Sequence, residues 1–184
     1  MKQFHKGKLV WALILSVAPG VLSADSIKFD FRDPKKVNNV VFLMDAPLES
    51  INGTATGVSG TVSFDPAKPA ATTGKIVLST SSLHVDNPLM KKHMLDEGWM
   101  HVSKFPTIEF VIGKMTDVKT SGTTIIATTA GKLTVKGVTK KVSVPVRLTY
   151  LKGMLIKRNR VPGDLLVLRC DFTIKRSAYG INAG

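Results

Sequence analysis

The feature that most constrains the fold of this chain is a strict alternation of apolar and polar residues. Between residues 142 and 150 every even position is apolar, from Val142 to Tyr150. A period of two places the apolar side chains on one face of a β-strand and leaves the other face to water. The same pattern predicts inward-facing residues in further strands: Val62, Phe64, Ile76, Leu78, Ile108, Phe110, Leu133, Val135, Leu166, Leu168, Cys170, Phe172 and Ile174.

Turn dipeptides separate these strands, among them Thr73-Gly74, Lys136-Gly137 and Pro162-Gly163. Short strands between turns, without a βαβ rhythm, are typical of an antiparallel sandwich or barrel. Parallel strands would read as continuous apolar runs. The sequence therefore predicts an all-β, antiparallel single domain.

One segment, residues 87–98, departs from the alternation and predicts a short helix. Asn87 suits the N-cap, Pro88 the first helical position and Gly98 the stop. Its predicted buried stripe consists of Leu89, Met90, Met94 and Leu95.

The N-terminal 24 residues have the pattern of an export signal. Lys2, Lys6 and Lys8 precede an apolar run over residues 9–18, and Ala24 ends a stretch of small residues suited to cleavage. The apolar run is shorter than the roughly 20 residues that span a bilayer. We expect residues 1–24 to be removed and residues 25–184 to form one domain in an extracytoplasmic space; the alternative is a buried N-terminal helix.

Charge limits the partners of the chain. The formal net charge is +13, and removal of the three signal lysines leaves +10. The basic residues are dispersed and no aromatic residues alternate with them, which argues against nucleic acid. Peripheral contact with an anionic membrane surface is the partner that this charge favours.

No catalytic or metal-binding motif is recognisable in the sequence. His84, His93 and His101 are nine and eight residues apart, and Cys170 is distant from all three. Cys170 lies on the apolar face of its predicted strand and is expected to be a buried, inert thiol. We expect no cofactor, no metal and no enzymatic activity.

Three motifs in order carry a family resemblance. They are MLDEGWM leading to FPTIEF (residues 94–110), GKLTVKGVTKKV (131–142) and FTIKRSAYGI (172–181). Together they resemble the YceI-like lipid/polyisoprenoid-binding family. The resemblance implies a lipocalin-like eight-stranded barrel, open at one end, that holds a long isoprenoid or similar amphiphile in the periplasm.

The sequence departs from the family pattern in three places: Trp99-Met100-His101, Ala178 and the end at Gly184. Family members normally continue with one more strand. If the chain ends at Gly184, we expect the barrel to lack its closing strand and to expose two unpaired edges, with a homodimer formed by strand addition, a leaky pocket or lower stability as the alternative consequences.

The apolar face supplies the candidate ligand-binding residues, each of which is equally well explained as ordinary core. Met90, Met94 and Met100 are candidates for an adaptable mouth, and Lys91, Lys92 and Arg176 for contacts with an anionic head group. The candidate lining residues are Phe42, Phe64, Leu78, Leu95, Trp99, Phe105, Ile108, Phe110, Leu133, Val135, Leu148 and Phe172.

Three functions follow, in order of preference. The first is a periplasmic, non-enzymatic carrier for a long-chain amphiphile: a polyisoprenoid, an isoprenoid quinone precursor or a fatty amide. The second is an envelope stress or structural module that binds anionic surfaces. The third is an enzyme acting on a barrel-bound lipid, which would need a polar group such as His84, His101 or Tyr179 inside the barrel.

Overall fold

The computed structural model of the chain describes residues 26–46 and 48–181. The predicted signal segment and the last three residues lie outside them. Within the described residues, ten antiparallel strands and two short helices are present. The strands are β1 (Ile27–Asp30), β2 (Val40–Ala46), β3 (Glu49–Ala55), β4 (Val58–Phe64), β5 (Thr73–Ser79), β6 (Leu83–His84), β7 (Thr107–Ser121), β8 (Thr124–Val135), β9 (Val138–Leu151) and β10 (Leu165–Cys170); the helices are α1 (Pro88–Leu95) and α2 (Leu155–Asn159).

Seven of these strands form a nearly closed, barrel-shaped sheet in the order β1-β4-β5-β7-β8-β9-β10. Strands β2, β3 and β6 form a separate small sheet. The predicted all-β antiparallel barrel is thus confirmed, with seven strands in the barrel sheet and three beside it. No helix in the described ranges is both long enough and apolar enough to cross a bilayer.

The long strands β7, β8 and β9 curve around the interior. Strand β7 pairs with β8 through two register irregularities, between Ile112 and Met115 and between Thr116 and Lys119. Irregularities of this kind bend a strand and increase its twist. They therefore help a seven-stranded sheet to curl until its two edge strands approach each other.

The β1 edge of the sheet contacts β9 and the α2 connection through side chains. The ring of Phe29 in β1 lies 6.4 Å from the ring of Tyr150, the residue paired with Leu166 of β10. Beside it, Arg158 of α2 forms an ion pair of 2.6 Å with Asp33, which follows β1. Lys35 also donates a hydrogen bond to the carbonyl oxygen of Arg158. Among the described residues β1 and β10 share no backbone ladder, and these side-chain contacts join the β1 edge to β9 and to the connection that precedes β10.

Two apolar clusters fill the inside. The barrel core contains Phe29, Phe64, Ile125, Val146 and Leu148, with other buried residues around them. The second cluster, which we call the helix-side core, lies towards α1 and comprises Ala55, Leu78, Leu83, Met100, Leu133, Val135, Tyr179 and Ile181. The half-buried ring of Phe110 packs against both clusters.

The predicted helix is present as α1. The Asn87 side-chain oxygen accepts hydrogen bonds from the backbone N–H groups of Leu89 and Met90, at 3.0 and 3.1 Å. The predicted buried stripe is only half right, because Met94 and Leu95 pack against the helix-side core whereas Leu89 and Met90 are exposed.

Two predictions for the last strand are wrong. Strand β10 ends at Cys170, so the alternation does not continue through Phe172, which is 41% exposed. Cys170 is paired with Val146 on the apolar side, yet it is exposed because β10 has no described neighbour on its other side. Partial desolvation and the Asp171 carboxylate raise the pKa of the Cys170 thiol, which lowers its thiolate fraction.

Candidate functional site

The structure divides the predicted lining residues between the two clusters. Phe64 and Leu148 belong to the barrel core, whereas Leu78, Leu133 and Val135 belong to the helix-side core. Five more predicted residues are half-buried and pack against the helix-side core. These five, which we call the apolar rim, are Phe42, Leu95, Trp99, Ile108 and Phe110.

The remaining two predicted residues lie elsewhere. Phe105 is half-buried but belongs to neither cluster; its ring contacts His101 edge-on at 5.8 Å. Phe172 is exposed beyond β10. Neither residue therefore belongs to, or packs against, the two clusters that contain the other ten predicted lining residues.

The apolar rim differs from the barrel core in how completely it is covered. Phe64 and Leu148 retain at most 1% of their accessible surface. The rim residues, although large and apolar, retain an intermediate share of theirs. A fully packed core covers such side chains, so the rim is the part of the apolar residues around the helix-side core that is not fully covered.

Two glycines allow the rim rings to lie directly on the backbone. A Cβ atom at Gly53 would lie 2.0 Å from the Phe42 ring, and one at Gly131 would lie 2.5 Å from the Phe110 ring. Any larger residue at either position must displace an aromatic ring of the rim. The sequence shows both glycines but not the rings above them.

Two depressions open to solvent on the outside of the clusters. One, of about 170 Å³, lies between β3 and the start of α1 and includes Ile51, Val85 and Met90 in its wall. The other, of about 460 Å³, is formed by β7, β8 and β9 and includes Gly113, Gly131 and Val142. Met90, a predicted mouth residue, thus lines the opening beside α1.

Two polar side chains beside the helix-side core come from the segment after β10. The Arg176 guanidinium lies 5.0 Å from the centre of the Trp99 ring, in cation–π geometry. Tyr179, three residues later, is 2% exposed and belongs to the helix-side core. Burial raises the pKa of its phenol, so Tyr179 is protonated at neutral pH.

Two atoms of these residues are buried without a hydrogen-bond partner: Nη1 of Arg176 and Oη of Tyr179. The sequence predicts both residues as candidates, Arg176 for a head-group contact and Tyr179 as a polar group inside the barrel. Their unpaired state has no signal in the sequence. The other head-group candidates, Lys91 and Lys92, lie on α1.

The histidines are dispersed around this region. His84 lies on β6 and contacts Asp86 at 3.6 Å, and His93 is exposed on α1. His101 has a positive φ of 46° and lies against Phe105. Within the described ranges, no three His, Cys, Asp or Glu side chains are grouped as metal ligands.

Comparison with known proteins adds a family and a fold. The family model described as YceI-like domain matches residues 26–184. UPF0312 proteins from Pseudomonas savastanoi pv. phaseolicola and Yersinia pestis are 37% and 32% identical to this chain over 94 and 97 residues, which is 51% and 53% of this chain. The chain spans about half the length of these curated relatives, 47% and 48% respectively.

A solved structure with a similar fold is Burkholderia cenocepacia BcnA. Its TM-score is 0.52 at 22% sequence identity, and the match covers 79% of this chain and 80% of that one. At this identity the likeness concerns the fold, and it agrees with the barrel-shaped sheet described above.

Proposed function

Because this chain belongs to the YceI-like family, we propose that it is a non-enzymatic, periplasmic carrier for a long-chain amphiphile. The ligand class is that of polyisoprenoids, isoprenoid quinone precursors or fatty amides. The observation that carries this proposal is the apolar rim, where Phe42, Trp99 and Phe110 pack against the helix-side core yet keep part of their surface uncovered.

The energetics favour loading and release. Burying a hydrocarbon tail gains about 0.8 kcal/mol per methylene relative to water. In a membrane the tail is already dry, so transfer from bilayer to protein is nearly balanced. Met94 and Met100 beside the rim supply flexible side chains that can repack around tails of different shape.

Native mass spectrometry, followed by organic extraction of protein purified from periplasm, tests the proposal. We expect a co-purifying hydrophobic molecule. Phe42→Ala should lower its amount, because Phe42 belongs to the rim, whereas Leu43→Ala should not, because the neighbouring Leu43 is exposed. A clean apo mass for the wild type, or equal loss in both variants, contradicts the proposal.

A second candidate function, contact with an anionic membrane surface, is favoured by the surface around α2. This α2 surface combines exposed apolar side chains with exposed cations. The apolar residues are Val37, Met154, Ile156 and Val161, and the cations are Lys35, Lys36, Lys152, Lys157 and Arg160.

One acidic group beside the α2 surface, the Asp33 carboxylate, is already paired with a cation. The Asp33 carboxylate is paired with Arg158, and the Asp33 side chain retains only 4% of its exposure. Each cation near an anionic bilayer contributes about 1 kcal/mol, and the apolar side chains can enter the interface. The α2 surface is therefore suited to a carrier that visits membranes.

Sedimentation with phosphatidylglycerol vesicles tests this second function, with phosphatidylcholine vesicles as the lipid control. We expect salt-sensitive binding to the anionic vesicles that falls in the double variant Lys157→Gln, Arg160→Gln. A matched pair of exposed lysines on β9, Lys140→Gln with Lys141→Gln, should retain binding. Equal loss in both double variants indicates net charge alone and contradicts a role for the α2 surface.

A further inference from the structure

We infer that Arg176 and Tyr179 form a binding site for an anionic head group, a phosphate or carboxylate, at the end of the amphiphile whose tail covers the apolar rim. The inference rests on the proposed function and specifies the ligand class at the same site.

The first observation is that both residues have buried donors without a partner. Tyr179 is 2% exposed, and its hydroxyl makes no hydrogen bond. Nη1 of Arg176 is buried and equally unpaired. Buried polar groups in folded proteins are nearly always paired with protein, water or ligand, so two orphans in one short segment indicate a missing partner.

The second observation is their placement on one turn. Arg176–Tyr179 is a single 3-10 turn, and side chains three residues apart in such a turn lie on the same side. Tyr179 packs in the helix-side core, and Arg176 covers Trp99, which packs against that same core. The two residues are therefore one turn apart, and each packs against the helix-side core or against the rim residue Trp99.

The third observation concerns charge. None of the ion pairs among the described residues involves Arg176, so its charge has no carboxylate to balance it. Lys136 adds a further cation beside the turn, where its ammonium donates to the carbonyl of Gly180 at 3.0 Å. A protonated phenol and an unbalanced guanidinium are hydrogen-bond donors suited to anionic oxygens.

Together these features fit an amphiphile with an anionic end. A guanidinium binds phosphate or carboxylate oxygens through parallel N–H bonds, and the phenol supplies one more donor. In a partly dry site such bonds are stronger than in water. An uncharged head group would leave the Arg176 charge unbalanced, so the site should discriminate against an alcohol with the same tail.

Displacement of a neutral phenylnaphthylamine fluorophore from the full chain tests this inference. The competitors are geranylgeranyl phosphate, palmitate and geranylgeraniol, with inorganic phosphate alone as a further arm. We expect the two anionic amphiphiles to bind at least about tenfold more tightly than the alcohol. Inorganic phosphate should not displace the fluorophore, because it has no tail to cover the rim.

Variants separate the head-group site from the tail site. Tyr179→Phe and Arg176→Gln should each reduce the preference for phosphate over alcohol by about tenfold while leaving geranylgeraniol binding within about twofold. Lys175→Gln, which removes an exposed charge next to the same turn, should retain the preference. Thermal melts establish that each variant is folded.

The outcomes distinguish the two proposals. Wild-type protein that binds the fluorophore and all three amphiphiles equally overturns the head-group site but leaves the carrier function standing. Variants that weaken phosphate and alcohol binding to the same extent also overturn the head-group site. Absence of binding by the fluorophore and every amphiphile overturns the carrier function, and the head-group site with it.

Discussion

At the scale of single residues, Thr129 is a polar side chain in an apolar position. It lies on the inward face of β8, is 2% exposed, and its hydroxyl has no hydrogen-bond partner. A buried, unpaired hydroxyl loses its water hydrogen bonds on folding and gains nothing in return. Replacing it with a methyl group of the same shape removes that cost.

We therefore predict that Thr129→Val raises the free energy of unfolding by about 1 kcal/mol. Urea denaturation monitored by tryptophan fluorescence measures the change. Thr128→Val, on the outward face of the same strand, is the control and should change stability by less than about 0.5 kcal/mol. A destabilised Thr129→Val variant would indicate that the hydroxyl has a partner.

At the scale of elements, the start of α1 depends on one side chain. Asn87 accepts two backbone hydrogen bonds, and Pro88 follows it at the first helical position. Asn87→Ala should lower the free energy of unfolding by about 1 kcal/mol, because an N-cap is lost. The control substitution Asn87→Asp keeps a side-chain acceptor and should therefore retain the stability of the wild type. If both variants lose stability equally, loss of the N-cap is not the cause.

The connection from β9 to β10 is tied by Asp164. Its carboxylate accepts hydrogen bonds from the Tyr150 hydroxyl at 2.6 Å and from the Gly153 N–H at 2.7 Å. The bond to Asp164, with desolvation, raises the pKa of Tyr150 to about 12, and the same bond lowers the pKa of Asp164. The raised phenol pKa means that this link stabilises the fold below pH 10 and is lost as pH rises towards 12.

We predict that Asp164→Asn lowers the pKa of Tyr150 towards its ordinary value of 10. The chain has two tyrosines, so ultraviolet titration of tyrosinate resolves them when Tyr179→Phe is used as the background. An unchanged midpoint in Asp164→Asn would show that desolvation alone sets the pKa of Tyr150.

At the scale of the whole molecule, the Asp33–Arg158 pair joins the segment after β1 to α2, in the connection between β9 and β10. Desolvation raises the pKa of Asp33, but backbone hydrogen bonds from Lys35 and Val37 and the Arg158 charge outweigh it and hold that pKa below 3.8. A lowered pKa means that the pair stabilises the fold above pH 3.8 and that this contribution is lost as pH falls through the folded-state pKa.

Asp33→Asn should therefore be less stable than wild type at pH 7, and the difference should shrink below pH 3.8. Thermal melts between pH 3 and 7 measure it. Asp171→Asn, an exposed aspartate just beyond β10, is the control and should track the wild type. A difference between wild type and Asp33→Asn that does not vary with pH would exclude the carboxylate charge as its cause.

How far the sequence predicts the fold and the site depends on whether the signal is local. Alternation along β9 and the Asn87 cap are local, and both are reproduced in the structure. The cause of the end of the alternation at Cys170 is not a local sequence signal. It depends on whether β10 has a neighbour, and no pattern within residues 165–174 encodes that.

The sequence by itself determined which faces of the strands are apolar, where the turns and the helix fall, and which family the chain resembles. Local sterics and the period of two carry that information. Only the tertiary structure decided that the interior divides into a closed barrel core and a half-covered rim, and that Arg176 and Tyr179 keep unpaired donors beside it. The burial of a side chain and the pairing of its hydrogen-bond donors depend on residues that are distant in the chain. The local sequence pattern does not specify those neighbours.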